Sequence, residues 1–294
     1  MLKVRHISVA REKPLVAIGA FERNVEVWDY KSGKRVSAFD TILDFGGKRL
    51  ALSISGDRVL AAAWERHGLA CYDVQSGQCV WQRHDLKKVQ TITCSRDGTI
   101  AYCGFDARPC MGIAISNGDK LCSFRGTREV VESCYSEFAV LDRTTPEVVG
   151  PDGKRRFRIE RTTFAVLSWA IGPETLLLSE AKGGPVRCFK LATGEELWRY
   201  TAPRGTLFLD LAYSTKLARF LGISWSYEHG GPKELAWFSP ASGQPEERLD
   251  LGIPATTAFS PDGSILISST GAIYDTARGT IFRTIPVEDG DSAR

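Results

Sequence analysis

The sequence has little histidine and methionine, and it lacks the short motifs by which many enzymes are recognised. Its 294 residues include four histidines, two methionines and eight cysteines. It has no Gly-x-Ser-x-Gly elbow to present a nucleophile, no His-Glu-x-x-His zinc motif and no glycine-rich strand-to-helix turn for phosphates. We therefore expect a protein that is not an enzyme and that uses no metal and no cofactor.

A charge excess and a long apolar run are also absent. Lys and Arg total 38 against 35 Asp and Glu, so a formal net charge of +3 gives no electrostatic reason to expect nucleic acid. Lys3 and Arg5 lie where a secretory signal would need its apolar centre, and nowhere do about eighteen apolar residues run together. We expect a cytoplasmic protein that binds neither nucleic acid nor a membrane.

The cysteines include no Cys-x-x-Cys pair, and most of them fall within apolar strand patterns. A thiol in such a place acts as a small hydrophobic side chain. Because cytosolic proteins rarely keep disulfides, we expect reduced, structural cysteines. Cys71 and Cys79 flank one hairpin turn and are the one pair that this pattern brings close.

The sequence does contain a repeated hairpin. Its clearest copy is Pro185 to Tyr200, where two runs rich in β-branched and aromatic residues flank a turn at residues 192–194. Six steps lead from the first turn glycine to the last and average 41 residues, as in β-propeller blades made of short strands. The turn glycines are Gly33, Gly77, Gly118, Gly153, Gly194, Gly243 and Gly279.

This period predicts an all-β fold, a seven-bladed β-propeller with four antiparallel strands, a to d, in each blade. One domain, residues 1–286, contains blades at approximately 1–41, 42–85, 86–126, 127–160, 161–203, 204–252 and 253–286. Blade four is the most compressed, and strand a of blade five is predicted at Thr163–Trp169. Both terminal blades have four strands of their own, so we expect no lent closing strand and closure by packing alone. Residues 287–294 are predicted to be a flexible tail.

One part of the repeat resembles that of pyrroloquinoline-quinone enzymes and their non-catalytic relatives. The pattern Thr-Gly-x-x-x-Trp at residues 193–198 is echoed by Asp-x-x-Ser-Gly-x-x-x-Trp at residues 73–81. The resemblance implies that Trp81 and Trp198 dock one blade on the next. The chain is far shorter than the catalytic quinoproteins and lacks their metal-ligand set, so only the packing role carries over.

Other parts look like WD repeats. Trp28-Asp29 precedes Ser32-Gly33, and residues 260–263 read Ser-Pro-Asp-Gly. The chain departs from that family in having one Trp-Asp dipeptide and no Gly-His pair. The resemblance therefore implies the propeller scaffold and a WD40-like or quinoprotein-like repeat, without a specific activity.

A second repeat follows strand b, where aromatic, acidic and basic residues occur together in blades one to three and on a longer loop in blade six. The b–c and d–a connections should share one rim, together with Arg83, His84 and Arg204. Exposed aromatic and arginine side chains are typical of binding hot spots. The predicted partner-binding residues are Phe21, Arg23, Trp64, Arg66, His67, Phe105, Arg108, Trp225, Tyr227, Glu228 and His229.

The same pattern has a structural interpretation, in which the aromatic residue plugs the end of a blade and the acidic residue pairs with the neighbouring arginine. This interpretation is the stronger one in blades one to three. In blade six the insertion favours recognition, because Trp225 and Tyr227 lie beyond the regular period.

A basic cluster runs from Lys154 to Arg161. Its alternation fits the outermost strand of blade four, where charge would prevent edge-to-edge pairing of sheets. The alternative is a docking patch for an acidic partner.

Three functions are compatible with these patterns. The first is a non-catalytic interaction module that binds another protein through the b–c/d–a loop face, with a bacterial inhibitor or immunity factor as one form. The second is a propeller hydrolase or lyase with polar residues gathered at the central channel. The third is a structural subunit with a large exposed apolar patch. The candidate bases of an enzyme would be His67, His84 and His229, and the candidate carboxylates Glu22, Glu65, Asp106 and Glu228.

Overall fold

The chain folds into seven small antiparallel sheets arranged in a ring. The computed structural model describes residues 6–19, 24–43, 49–63, 67–105, 108–163, 165–181, 183–226, 233–251 and 256–286, without the side chains of residues 247 and 248. Every sheet has four strands that follow one another in the sequence. The predicted all-β, seven-bladed propeller is therefore confirmed. The described residues contain no helix that is long and apolar enough to cross a membrane.

Blades one to four contain sixteen strands, and each blade begins with its innermost strand. They are β1 (His6–Val9), β2 (Leu15–Gly19), β3 (Asn24–Asp29), β4 (Lys34–Asp40), β5 (Leu50–Leu52), β6 (Arg58–Ala62), β7 (Leu69–Asp73), β8 (Cys79–Arg83), β9 (Val89–Cys94), β10 (Ile100–Phe105), β11 (Cys110–Ala114), β12 (Lys120–Phe124), β13 (Glu129–Ser133), β14 (Ser136–Asp142), β15 (Glu147–Val149) and β16 (Arg155–Arg158).

Blades five to seven contain the other twelve strands. They are β17 (Val166–Ile171), β18 (Thr175–Glu180), β19 (Val186–Lys190), β20 (Glu196–Tyr200), β21 (Thr206–Ser214), β22 (Arg219–Ser226), β23 (Lys233–Phe238), β24 (Pro245–Asp250), β25 (Thr257–Phe259), β26 (Ile265–Ser268), β27 (Ala272–Asp275) and β28 (Thr280–Thr284). The predicted compressed blade four is thus a complete four-stranded sheet.

Strand β17 begins three residues later than predicted, and a buried carboxylate accounts for the difference. Glu180 Oε2 accepts hydrogen bonds from the backbone N–H groups of Thr162 and Thr163 at 2.8 and 2.7 Å. Its Oε1 accepts one from Arg187 at 3.1 Å, and the Glu180 side chain is fully buried. Because these N–H groups already have a partner, the segment before β17 forms a loop anchored to Glu180 rather than more sheet.

Tryptophans on outer strands dock one blade on the next, as the family resemblance implies. Trp81 lies against the turn glycine Gly118 of the next blade, where an added Cβ would be 2.9 Å from the ring. The indole N–H of Trp81 also donates to the Ile115 carbonyl at 2.8 Å. Trp198 makes the equivalent contact with Gly243 and donates to Pro240 O at 3.1 Å. Each contact combines buried aromatic area with a directional bond.

The ring closes between blades seven and one by the same kind of contact between an outer strand and a turn glycine. An arginine makes this contact instead of a tryptophan. No strand is exchanged among the described residues, because each of the two blades supplies its own four. Arg283 on β28 lies against the Gly33 turn and donates to Ser32 O at 3.0 Å. Apolar residues from both blades, Val16 and Ile267 among them, pack beneath this contact. Closure therefore uses packing together with a hydrogen bond, and the expectation of packing alone is wrong.

The acidic residue of the Asp-x-x-Ser-Gly hairpins has a local role. Asp73 Oδ1 accepts hydrogen bonds from the N–H groups of Gln75 and Ser76 at 3.1 and 2.9 Å. Gly77 then takes a φ of 68°, which a residue with a Cβ adopts only at a cost. This sequence pattern therefore sets the turn rather than a binding site.

All eight cysteines are free. Cys71 is buried opposite Trp81, whereas Cys79 is exposed opposite Tyr72, so the two flank the turn without forming a bond. Burial raises the pKa of the Cys71 thiol to about 12, which leaves it protonated and unreactive at neutral pH. Four of the eight cysteines, Cys71, Cys103, Cys110 and Cys188, are buried, which agrees with the structural role expected of them.

Candidate functional site

The innermost strands of the seven blades line a central channel. Its cavity has a volume of about 500 Å³, which is within the range of small-ligand sites. Partly exposed apolar side chains, such as Ile7, Val131 and Ala258, form much of its wall. The charged residues that line it are His6, Arg11, Arg96, Glu132 and Asp210.

Glu132 on β13 is a structural carboxylate. Its Oε2 accepts a hydrogen bond from the backbone N–H of Arg96 at 2.8 Å, and its Oε1 accepts one from the Tyr102 hydroxyl at 2.8 Å. Burial, with the Glu132 hydrogen bond, raises the pKa of Tyr102. Both carboxylate oxygens thus fasten the a–b turn of blade three, which makes Glu132 a poor general base.

Asp210 lies two blades further along the ring, on β21. The strand pairing shifts between Phe208 and Asp210, which marks a β-bulge that re-aims this side chain. Asp210 Oδ1 accepts hydrogen bonds from the Leu211 backbone N–H at 3.1 Å and from the Ser168 hydroxyl at 3.3 Å. Burial lowers the pKa of Lys233, and the negative charge of Asp210 opposes that shift.

Two side chains span the end of the channel formed by the a–b turns. Arg11 of blade one donates to Arg96 O of blade three at 2.9 Å. Tyr135 of blade four donates its hydroxyl hydrogen to Pro261 O of blade seven at 2.9 Å and packs against Tyr213, with ring centroids 5.8 Å apart. Burial raises the pKa of Tyr135, so the phenol stays protonated. These contacts narrow the opening and connect distant blades.

Most of the predicted rim residues cannot be placed, because they lie outside the described residues. They are Phe21, Arg23, Trp64, Arg66, Tyr227, Glu228 and His229, together with the candidate carboxylates Glu22, Glu65 and Asp106. The predicted tail, residues 287–294, lies outside them too.

Two predicted contact residues are less exposed than a rim position would require. Phe105 is 3% exposed and packs in the apolar cluster between blades two and three, so its assignment as a partner-contact residue is corrected to core packing. The ring fills the blade end, as the structural interpretation proposes. Trp225 lies within β22 and is half-buried, one residue before the strand ends, rather than on an insertion.

Four other predicted rim residues form one polar cluster with Asp85 on blades two and three, which we call the blade 2–3 rim: His67, Arg83, His84, Asp85 and Arg108. Arg204, also predicted on the rim, is exposed between β20 and β21 and is not part of this cluster. Arg108 donates to Asp85 O at 3.1 Å. Arg83 forms two bonds of 2.8 Å with the Asp85 carboxylate. Gln82 Nε2 donates to His67 O at 2.9 Å and lies 3.4 Å from His84 Nδ1. The b–c and d–a connections therefore share a face here, as predicted.

The basic cluster of blade four is paired. Strand β16 is the outermost strand, as predicted. Arg155 and Arg158 both bind Glu147 Oε1, at 3.3 and 3.1 Å, and Arg156 binds Asp152 at 3.0 Å. These contacts favour a charged sheet edge over a docking patch for an acidic partner.

The part of the chain that the structure describes contains no set of side chains arranged as metal ligands. No group of three or more His, Cys, Asp or Glu side chains is arranged there to hold an ion. Of the candidate bases, His67 and His84 lie on the blade 2–3 rim rather than in the channel.

The sequence patterns did not identify the polar residues of the channel, because none of them recurs in most blades. A carboxylate inside an innermost apolar strand, such as Glu132 in β13 or Asp210 in β21, is the signal that could have found them. Arg11 and Arg96 follow strands β1 and β9 and are 85 residues apart, so no local motif joins them.

The comparisons with known proteins support the fold alone. No protein-family model matches the chain, and no curated protein matches its sequence. Among solved structures, the crystal structure of the computationally designed Ika8 protein is similar, with a TM-score of 0.66 over 96% of this chain and 87% of that chain. The two sequences are 17% identical, so the similarity carries no function.

Proposed function

We propose that this protein is a non-catalytic interaction module that binds a partner protein through its b–c/d–a loop face. The observation that carries the proposal is the blade 2–3 rim. Its exposed side chains, His84 and Arg108, project from loops that hydrogen bonds tie to one another. Loops ordered before binding lose less conformational entropy when a partner docks.

The charge of this rim indicates the kind of partner. Lys87 and Lys88 are exposed directly beside the cluster, and Arg108 adds a third cation. Complementary acidic groups on a partner would speed association and fix its orientation. A bacterial inhibitor or immunity factor that caps an acidic surface of a toxin in the cytoplasm is one form of this function.

The enzyme alternative, a hydrolase or lyase acting at the channel, has less support. Its most central carboxylate, Glu132, uses both oxygens to hold the fold. The structural-subunit alternative also lacks its expected patch among the described residues, where the exposed large apolar side chains are spread over the outer strands of five blades. They are Val36, Val80, Leu121, Leu197, Ile281 and Phe282.

The experiment has two stages. Tagged protein is used to capture partners from its native cell extract at about physiological salt, and a stoichiometric partner is identified by mass spectrometry. Its Kd is then measured by calorimetry for the wild type, His84→Ala and Arg108→Ala. We expect Arg108→Ala to weaken binding at least about tenfold, because truncated hot-spot arginines cost that much or more.

Lys190→Ala is the matched control, since Lys190 is an exposed cation at the end of β19 in blade five, away from blades two and three. It should leave the Kd unchanged. A partner that binds both rim variants as tightly as the wild type would show that the proposed face is wrong.

A further inference from the structure

The end of the channel formed by the a–b turns holds two arginines whose charge is not neutralised locally. Arg11 contacts Arg96 through the backbone oxygen, and Arg96 Nη1 donates to Ser136 O at 2.5 Å. Among the described residues, neither guanidinium has a carboxylate within ion-pair distance. This contrasts with blade four, where Arg155, Arg156 and Arg158 all bind carboxylates.

Carbonyl contacts leave much of each guanidinium available. A guanidinium has five N–H donors, and one is used by Arg11 and one by the Arg96 side chain. Two cations that line one partly enclosed cavity also make its potential more positive, which favours an anion. Planar donor pairs suit the oxygens of carboxylate and phosphate groups.

The acidic residues of the channel do not cancel this potential by contact. Glu132 is nearby, yet its two oxygens are occupied by the Arg96 backbone N–H and the Tyr102 hydroxyl. Asp210 belongs to blade six and lies in the middle of its strand, whereas Arg11 and Arg96 follow the ends of β1 and β9.

From this geometry we infer that the central channel is a second binding site, which takes a small molecule with a carboxylate or phosphate group. Arg11 and Arg96 bind the anionic group at the a–b end. The rest of the ligand lies along the partly apolar wall formed by residues such as Ile7, Val131 and Ala258. The cavity of about 500 Å³ sets the size class of the ligand. This site is separate from the loop face proposed for the partner protein, which lies at the other end of the blades.

The test uses three probes and the full chain. Inorganic phosphate and hexanoate carry the two possible anionic groups, and hexanamide is the neutral analogue of hexanoate. A ligand that binds the folded state raises the thermal unfolding midpoint with saturation. We expect saturable stabilisation by phosphate or hexanoate, which identifies the anionic group, and none by hexanamide. Stabilisation by neither anion, or equal stabilisation by hexanamide, would overturn the inference.

Variants then locate the site. Arg11→Gln and Arg96→Gln should each weaken binding at least about tenfold, since a hydrogen bond to a charged group is lost. Arg125→Gln, at an exposed arginine outside the channel, should bind as the wild type does. Wild-type affinity in both channel variants would place the anion elsewhere and refute the site.

The site can also be located in the wild type, by titrating it with phosphate or hexanoate and monitoring the amide NMR shifts. This measurement tests the inference even where a variant unfolds. The shifts should change at residues 95–96, 134–135 and 211–213, which line the channel. Shifts confined to the blade 2–3 rim would contradict the inference without bearing on the binding of a partner protein.

Discussion

The outer hairpins and the innermost strands of this propeller differ in how much they repeat. All seven c–d turns contain a glycine with φ between 65° and 79°. The innermost strands share no such residue, and the channel carboxylates Glu132 and Asp210 each occur in a single blade. Repetition therefore identifies the residues that build the ring, whereas residues found in one or two blades supply the chemistry of the channel.

This division predicts that the largest losses of stability come from the repeated docking contacts. Trp198→Ala should lower the free energy of unfolding by about 3–5 kcal/mol, the cost of removing a large buried aromatic side chain. Trp198 packs on Gly243 and stacks with Phe238, with ring centroids 6.1 Å apart. Urea unfolding measures the change.

The neighbouring Leu197 provides the control, because its side chain is exposed on the same strand. Leu197→Ala should change stability by less than about 0.5 kcal/mol. Equal effects of the two substitutions would mean that docking on the next blade contributes little.

A pair of glycine substitutions separates the strain of the turn from the docking contact. Gly243 and Gly153 have φ values of 69° and 71°, so alanine should cost about 1–2 kcal/mol at either position. At Gly243 the new Cβ would lie 2.1 Å from the Trp198 ring, whereas at Gly153 nothing lies within 4 Å. Gly243→Ala should therefore cost about 1–3 kcal/mol more, from overpacking.

Thermal and urea unfolding of both variants measure the difference. If Gly153→Ala lost as much stability as Gly243→Ala, the whole effect of Gly243→Ala would come from backbone conformation. It would also mean that the open contact at the Gly153 turn, between blades three and four, stabilises the fold as much as the packed contact at Gly243 does.

The repeated features are the ones that the sequence could predict. The turn glycines and alternating strands gave the seven blades, and the Thr-Gly-x-x-x-Trp pattern predicted the docking of Trp198. The later start of β17 could not be predicted, because it depends on Glu180 reaching back to two backbone N–H groups from the next strand. The burial of Phe105 is the favoured interpretation of its pattern, although the same pattern is also compatible with an exposed contact residue.

Contacts between blades that are distant in the sequence could not be predicted from the repeats. Arg11 and Arg96 each come two residues after the innermost strand of their blade, and they meet only because the ring brings blades one and three within reach of each other. Arg283 closes the ring in a place where blades one, two, four and five carry aromatic residues, so the pattern of the aromatic residues could not identify it. Such contacts depend on the closed ring, which no single repeat encodes.

A substitution at a channel residue should cost less than one at a docking contact. Tyr135→Phe removes the hydrogen bond to Pro261 O and keeps the ring beside Tyr213. We expect a loss of about 0.5–1.5 kcal/mol, the usual net value of one hydrogen bond. Urea unfolding measures it, with Tyr213→Phe as a control that also retains the ring. A loss as large as that of Trp198→Ala would show that this crossing is essential for ring closure.

The smallest loss of stability should come from substituting a residue that is repeated but exposed. This substitution tests whether repetition alone indicates a large contribution to stability. Asp97 lies in the Ser-x-Asp-Gly turn of blade three, and Asp262 has the same place in blade seven. Hydrogen bonds from the Ser95 hydroxyl and the Thr99 N–H hold the pKa of Asp97 below its ordinary value. Asp97→Asn keeps an acceptor while removing the charge, so we expect a loss of about 1 kcal/mol or less at pH 7.

The pH dependence distinguishes the charge from the shape of this turn. Because the pKa of Asp97 is lower in the folded state, its charge stabilises the fold fully above the unfolded pKa of about 3.9. That contribution is lost as the pH falls through the folded pKa, where the protonated side chain resembles asparagine. The difference between wild type and Asp97→Asn in urea unfolding should therefore shrink toward zero in acid. A difference that stays constant with pH would mean that the turn depends on the geometry of the side chain and not on its charge.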